Sequence, residues 1–382
     1  MRVLRALLVL IALAGMTLPF KPVRESTVQD TRKRIALSFD DVPRAPGAFY
    51  TKDERTRRLI AALHEAGVRQ AAFFLNPGRI AAHDGAEERI QAYVAAGHVI
   101  ADHSFSHRDL SSTSAPAFLA DIDKAEDWLQ GRPGYRPWFR FPGLNQGGRD
   151  VAKRRAVLAG LEQRHLLVAA VTVDGSDWNL ERLTLDAVKS GKPVDLPALR
   201  DLYVETMVQS ADFSDALMRR AIGRSPAHVL LLHETDLAAR YVGALVTALE
   251  QDGWVIVPAD TAYADPVYHF TPDTSSPNAT LTEALAAAKG ITGPIWYDRN
   301  DMKVADALFE ARIVHLPVSP PAPVPLLAAR AGPVIPAVRP ISIAVQPASR
   351  HRECLAWHRT HRRFCGALGR RARPAVFSGS PI

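Results

Sequence analysis

Asp40 and Asp41 close an apolar run at residues 35–39. Adjacent side chains on a strand point to opposite faces. The pair is therefore poorly arranged to flank one glycosidic bond, and better suited to a division of labour in which one carboxylate holds a metal and the other faces substrate. His103 and His107 follow a second apolar run at 98–101. Histidines at i and i+4 lie on one face of a helical turn and can reach a single metal ion. With one carboxylate of the Asp pair they make a three-ligand set that leaves positions open for water and substrate. Arg140, in the run 138–141, can grip a carboxylate through two N–H donors and keep it ionised. Asp174, Asp177 and Trp178 follow the strongly apolar run 166–173 and offer carboxylates and an aromatic wall. His233 emerges from the run 229–232, and its neighbours can move its pKa through neutrality, which suits an acid or a metal ligand.

Five clusters so far apart in sequence need a scaffold that gathers strand ends. Strands are expected at 35–39, 71–75, 98–101, 138–141, 166–173, 229–232 and 254–257. Helices are expected at 53–65, 87–96, 115–130, 148–164, 196–222 and 237–251, the first with its 3.6-residue period carried by Leu59, Ile60 and Leu63. This alternation predicts parallel β-α units, as an open doubly wound sheet or a closed or nearly closed barrel. In both, the C-terminal strand ends carry the site. Composition shifts after Tyr268. Residues 271–316 read as a small appended element with a helix at 281–289 and a short strand near 311–316.

The chain has 382 residues, with 47% hydrophobic and 23% charged, ordinary globular values that exclude a wholly disordered or multi-span membrane chain. Its two cysteines, Cys354 and Cys365, exclude a disulfide scaffold and a thiolate-built zinc site; they could form one bond in an oxidising compartment. The net charge of +7 is local: residues 317–382 hold ten Arg and one acidic residue, Glu353, so the rest of the chain stands at −2. A nucleic-acid enzyme would place its charge on the folded body, so no nucleic acid is expected. Residues 317–382 form a Pro/Arg-rich basic tail, extended or disordered because Pro fixes φ and removes donors. Residues 1–20 read as a signal peptide or N-terminal anchor: Arg2 and Arg5 precede an apolar run at 6–18, too short for an ordinary span. A linker follows at 21–34. The protein is expected to be exported, periplasmic or extracellular, with membrane anchoring by that segment as an alternative, and to be a monomer.

The ordered set Ser38-Phe-Asp-Asp41, His103-Ser-Phe-Ser-His107, Arg140-Phe-Pro142, Asp174-Gly-Ser-Asp-Trp178 and Leu231-Leu-His233 resembles the five motifs of the polysaccharide deacetylase family, the NodB-homology or carbohydrate esterase family 4 group. The resemblance spans about 35–270. It implies a distorted (β/α) barrel of about seven strands and metal-dependent removal of N-acetyl groups from an acetylated polysaccharide, with acetate released. O-acetyl ester hydrolysis and a non-catalytic envelope glycan-binding role are the alternatives. Position by position, it implies that Asp41, His103 and His107 hold one divalent metal, commonly Zn²⁺, with Co²⁺, Ni²⁺ or Mn²⁺ as alternatives. Asp40 would be the general base, oriented by Arg140. His233 would be the general acid, tuned by Asp174 or Asp177 with Trp178. Phe141, Pro142, Trp178 and Leu231 would line the substrate pocket. The sequence departs from the family at Val42-Pro43, where Gly is usual after the Asp pair, at Phe141 within motif three, and at Glu234 after the last His.

Overall fold

The computed structural model describes residues 32–272 and 279–314. The segment 1–20, most of the linker, the tail and its two cysteines lie outside the described residues. Among the described residues eight strands form one sheet: β1 (Lys33–Val42), β2 (Ala72–Leu75), β3 (Val99–Asp102), β4 (Tyr135–Phe139), β5 (Leu167–Val168), β6 (Val173–Asp174), β7 (Ala227–His233) and β8 (Trp254–Ile256). Every pairing is parallel. The order is β5-β4-β3-β2-β1-β7-β6, with β8 also on β1.

β5 and β6 are the two ends of one stretch, 167–174. Its start pairs with β4, Leu167 opposite Trp138, and its end pairs with β7, Asp174 opposite Leu231. That single stretch joins both edges of the sheet into a distorted β/α barrel of six staves, with β8 as a seventh strand beside β1, as the motifs implied. It is the apolar run read above as one strand.

Among the described residues ten α-helices surround the strands: α1 (Lys52–Glu65), α2 (Ala86–Ala95), α3 (Ala115–Leu129), α4 (Val151–Gln163), α5 (Asp177–Lys189), α6 (Leu196–Ile222), α7 (Asp236–Gln251), α8 (Ala259–Tyr263), α9 (Leu281–Ala288) and α10 (Met302–Arg312). Thr51, Ser114, Asp150, Asp195 and Thr235 cap their helices by accepting a backbone N–H. Such caps each contribute about 1 kcal/mol.

Strand alternation sorts the side chains into two layers. Ile35, Leu37, Phe39, Phe73, Leu75, Leu230 and Leu232 belong to the outer layer beneath the helices. Ala36, Phe74, Ala101, Val171, Val229 and Leu231 fill the barrel. Each fully buried Leu or Ile contributes about 1.5–3 kcal/mol. On the inner face of β1 the same alternation leads from Ala36 to Ser38 to Asp40, so polarity rises toward the C-terminal mouth.

Two expectations are corrected. The strand expected near 311–316 is, through Arg312, the end of α10; the run 311–314 is too short and too poorly flanked to recruit a strand partner. α5 was not foreseen, because Asp174-Gly-Ser-Asp reads as a turn. Its buried stripe of Leu180, Thr184 and Ala187 nevertheless has helical spacing.

Candidate active site

Asp40 ends the inner row of β1 and is 2% exposed. Arg140, just past β4, is also buried, and each of its three guanidinium nitrogens donates a hydrogen bond. Nη1 donates to Asp40 Oδ1 at 2.5 Å and to Ser38 Oγ at 2.9 Å; Nε donates to the Ala169 carbonyl at 3.0 Å; Nη2 donates to Tyr263 Oη at 2.5 Å. The guanidinium also lies 3.6 Å from the centroid of the Phe74 ring. Two buried charges are tolerable here because each is paired and hydrogen-bonded. Asp40 Oδ2 is left facing His103 Nε2 at 3.5 Å.

Tyr263 belongs to none of the five motifs. It comes from α8, its pKa is pushed up to about 12 by burial, and its hydroxyl hands the chain of contacts on to the Ala169 and Ala170 carbonyls. Tyr263→Phe should lower kcat about tenfold with KM within about twofold, since one hydrogen bond to a charged positioning group is lost. An equal change in both constants, or none, would remove Tyr263 from the site.

Asp41 does not follow strand alternation. Its φ is +68° and the β1–β2 register slips between Phe39 and Val42. The bulge turns the second carboxylate toward the same mouth as the first, contrary to the opposite-face expectation. Asp41 Oδ1 lies 3.0 Å from His107 Nε2 and 3.8 Å from His103 Nε2. Oδ2 accepts from Arg44 Nη1 at 2.6 Å. Burial alone would raise the Asp41 carboxyl, but the His107 hydrogen bond and the Arg44 charge hold it well below the usual range.

The two histidines are not on a helical turn. Residues 103–107 form an irregular loop with positive φ at Ser104 and His107. Asn76 holds this loop by donating to the His103 and Ser104 carbonyls at 2.6 and 3.0 Å. Gly78 N donates to the Phe105 carbonyl, and a Cβ there would sit 2.6 Å from that oxygen, so only Gly allows the approach. From below, Asp121 accepts from Ser106 N and Oγ. His103 Nδ1 meets the Arg140 carbonyl at 2.9 Å, which assigns the proton to Nδ1 and the lone pair to Nε2. Desolvation lowers its pKa to about 4, so the ring is neutral.

Ligand atoms of Asp41, His103 and His107 all lie within 4.8 Å of one another. Asp41 Oδ1 is buried without a well-formed hydrogen bond. A carboxylate oxygen and two imidazole nitrogens, converging on one point, fit a divalent metal of the Zn²⁺, Co²⁺, Ni²⁺ or Mn²⁺ kind.

His233 is the register partner of Asp40 on the neighbouring strand β7. Asp177, at the start of α5, grips it twice: Oδ1 accepts from Nδ1 at 2.7 Å and Oδ2 from the backbone N at 2.9 Å. Burial would lower the His233 pKa, but the Asp177 charge and hydrogen bond raise it. Asp177, not Asp174, is therefore the partner. Asp174 accepts instead from Ser176 N at 2.7 Å, and burial pushes its pKa to about 6. Gly175 between them admits Met207 of α6, whose Sδ and Cε lie 2.6 Å from where a Cβ would be.

The four lining residues divide. Leu231 is in the barrel interior two residues below His233, and Trp178 is half-buried beside Asp177. Pro142 opens a short turn after Arg140. Phe141 is stacked on Phe118, ring centroids 6.0 Å apart, and serves mainly the core.

Glu234, Asn300 and Tyr263 carry contacts the motifs did not flag. Glu234 is buried and accepts from Tyr93 Oη at 2.9 Å and from Arg44 N at 3.1 Å. Asn300 reaches the barrel-closing stretch by donating to the Asp174 carbonyl and accepting from Ser176 Oγ, both at 3.0 Å. In the sequence Glu234 stands out only as the departure that follows the last motif His. No sequence feature marks Asn300.

Residues 27–162 match the family model described as polysaccharide deacetylase. Among curated proteins, the uncharacterised protein YlxY of Bacillus subtilis (strain 168) is 24% identical over 161 residues, 42% of this chain and 39% of that protein. The chain thus spans about two fifths of the length of the curated relative it matches. Similar solved structures include a family 4 carbohydrate esterase from Streptomyces lividans in complex with acetate, 20% identical, covering 60% of this chain and 95% of that one, TM-score 0.40. The chitin deacetylase from Colletotrichum lindemuthianum is 16% identical, covering 62% and 89%, TM-score 0.44. A CE4 family pseudoenzyme from Bacillus anthracis is 18% identical, covering 59% and 63%, TM-score 0.40. The family model runs through the first three motifs, and the last two lie beyond it on β6, α5 and β7: over residues 27–162 the chain is similar to the polysaccharide deacetylase family, the NodB-homology group.

Proposed function

We propose that this protein is a metal-dependent hydrolase that removes N-acetyl groups from an N-acetylated glycan. The observation that carries the reading is the pairing of Asp40, caged by Arg140, with His233, gripped by Asp177, on adjacent strands at one mouth. A divalent metal held by Asp41, His103 and His107 would polarise the acetyl carbonyl and make water more acidic. Asp40 Oδ2 faces the pocket and takes the proton from the attacking water. Arg140 holds Asp40 fixed, so no reorganisation is needed at that moment. His233 Nε2 gives its proton to the leaving nitrogen as the C–N bond breaks. Asp177 on Nδ1 stabilises the charged ring before that transfer. Acetate and a free amine leave.

The acid works in its protonated form, and the Asp177 charge and hydrogen bond raise the His233 pKa against the lowering effect of burial. Activity should fall on the alkaline side as pH rises through that pKa. Asp177→Asn removes the raising charge, so the alkaline limb should move to lower pH and kcat should drop about 10²-fold. The same sign holds for stability: a raised folded pKa contributes below the unfolded value of about 6.5 and is lost as pH rises. An unmoved limb in Asp177→Asn would show that His233 is not the acid.

The test of the function is acetate release by the full chain from N-acetylated and O-acetylated glycans, with added Zn²⁺ and with a chelator. Chelator-sensitive release from the N-acetyl series is the expected result. Release from esters alone would transfer the reading to an esterase, and chelator-insensitive release would overturn the metal. The reading includes export to the periplasm or beyond and action as a monomer. The basic-then-apolar start supports export; among the described residues no helix is long and apolar enough to cross a membrane.

A further inference from the structure

Two guanidiniums stand on Asp41 at the rim of the pocket. Arg44 comes from the loop after β1 and Arg79 from the short 3₁₀ turn Pro77–Ala82 after β2. Arg44 Nη1 is 2.6 Å from Asp41 Oδ2, and Arg79 Nη1 is 3.4 Å from Oδ1. One carboxylate, already committed to two imidazoles, cannot balance two arginines. Among the described residues, Asp41 is the one ion-pair partner of each. Their side chains remain 27% and 33% exposed, so they face the solution from which substrate arrives.

Arg44 is also held in place by a device that the hydrolytic chemistry does not use. Its N–H donates to buried Glu234 at 3.1 Å, and its carbonyl accepts from Arg55 Nη2 at 2.9 Å. Arg55 is itself buried, 3.5 Å from both Glu234 and Asp236. Asp236 in turn accepts from Phe49 N and Tyr50 N at 2.7 and 2.9 Å. The Arg44 backbone is thus clamped at both its N–H and its carbonyl, and the loop 43–50 is tied down at its two ends. Burying this many charges is costly, and its product is one exposed guanidinium set at a defined point.

We infer that Arg44 and Arg79 form an oxyanion-recognition rim and that the favoured glycan carries an anionic group, a carboxylate or a phosphate, beside the scissile acetyl. This rests on the deacetylase reading for the acetyl but not for the anion. A planar guanidinium fork matches carboxylate and phosphate geometry, and preorganisation avoids the entropy of ordering a long side chain on binding.

The test separates the two readings. Binding is measured by calorimetry on the Asp40→Asn protein, using oligosaccharides of equal length: neutral N-acetylglucosamine, N-acetylglucosamine alternating with glucuronic acid, and N-acetylglucosamine bearing a phosphodiester. Acetate release by the wild-type chain is measured on the same three. An anionic oligosaccharide should bind about tenfold tighter than the neutral one, and the preference should weaken with salt. In Arg79→Gln and in Arg44→Gln, each assayed beside its Lys counterpart, the Gln variants should lose most of the preference and the Lys variants keep part of it. The better of the two acidic arms identifies the anion. Equal binding of all three, with acetate released, overturns the rim and leaves the deacetylase standing. Anion preference without acetate release from any arm keeps the rim and overturns the activity.

Discussion

Asp40→Asn is expected to lower acetate release about 10³-fold while metal stoichiometry stays at the wild-type value. General acid–base catalysis contributes about 10²–10⁴ in rate, and the carboxamide has almost the shape of the carboxylate but no basicity. Its oxygen can still accept from Arg140 Nη1, so the geometry of Ser38, Arg140 and Tyr263 should persist. The buried guanidinium loses its counter-charge, however, and a loss of stability of about 3 kcal/mol accompanies the change. Turnover is therefore measured below the new melting temperature, beside a thermal melt and a metal analysis. Full turnover would exclude Asp40 as the base. Loss of metal would move Asp40 among the ligands, a reading its 3.5 Å approach to His103 Nε2 makes worth excluding directly.

His103→Ala is expected to abolish both metal binding and acetate release. His103 is fully enclosed, its Nδ1 proton is taken by the Arg140 carbonyl, and its lone pair faces the two Asp carboxylates. Without it the candidate site keeps two of its three ligands, Asp41 and His107. A metal at 100 times its dissociation constant adds about 2.7 kcal/mol to stability. For a domain of this size the wild-type melting temperature should rise by about 5–10 °C on adding Zn²⁺. The variant should show no such rise. A folded His103→Ala protein that still gains stability from Zn²⁺ would assign the histidine a structural role and leave the metal to other groups.

The strands and the five polar clusters were legible because they obey local rules. Apolar runs of the right length with β-branched and aromatic content became strands, and the chemistry fell at their C-terminal ends, as parallel β-α architecture requires. The fifth motif needed no correction: His233 is where an apolar run turns polar, and the barrel puts it opposite Asp40. What alternation and helical spacing could not foresee was conformational. Asp41 adopts positive φ, so it joins its neighbour instead of opposing it. His103 and His107 converge through an irregular loop anchored by Asn76. These are tertiary arrangements that override local periodicity. The choice of Asp177 over Asp174 rested on an unseen helix, since α5 starts at Asp177 and rotates its carboxylate onto His233. Tyr263 and Glu234 act across the barrel, Tyr263 at a separation of 123 residues from Arg140. No window of sequence contains such a pair.

The tie from Asn300 to the Asp174 carbonyl crosses 126 residues. Leu281 N and Thr282 Oγ1 add two more bonds of 2.7 Å to the same stretch, at the Val171 and Thr172 carbonyls. The backbone leading into the fourth motif is thus secured by a segment that follows the last barrel strand in the chain. A nascent chain that has already laid down Asp40, His103 and Arg140 still lacks the clasp for Asp174 and Asp177. Non-local contacts of this kind form late, because loop closure precedes their reward. The setting of the fourth motif is therefore completed only once the segment beyond the barrel has docked.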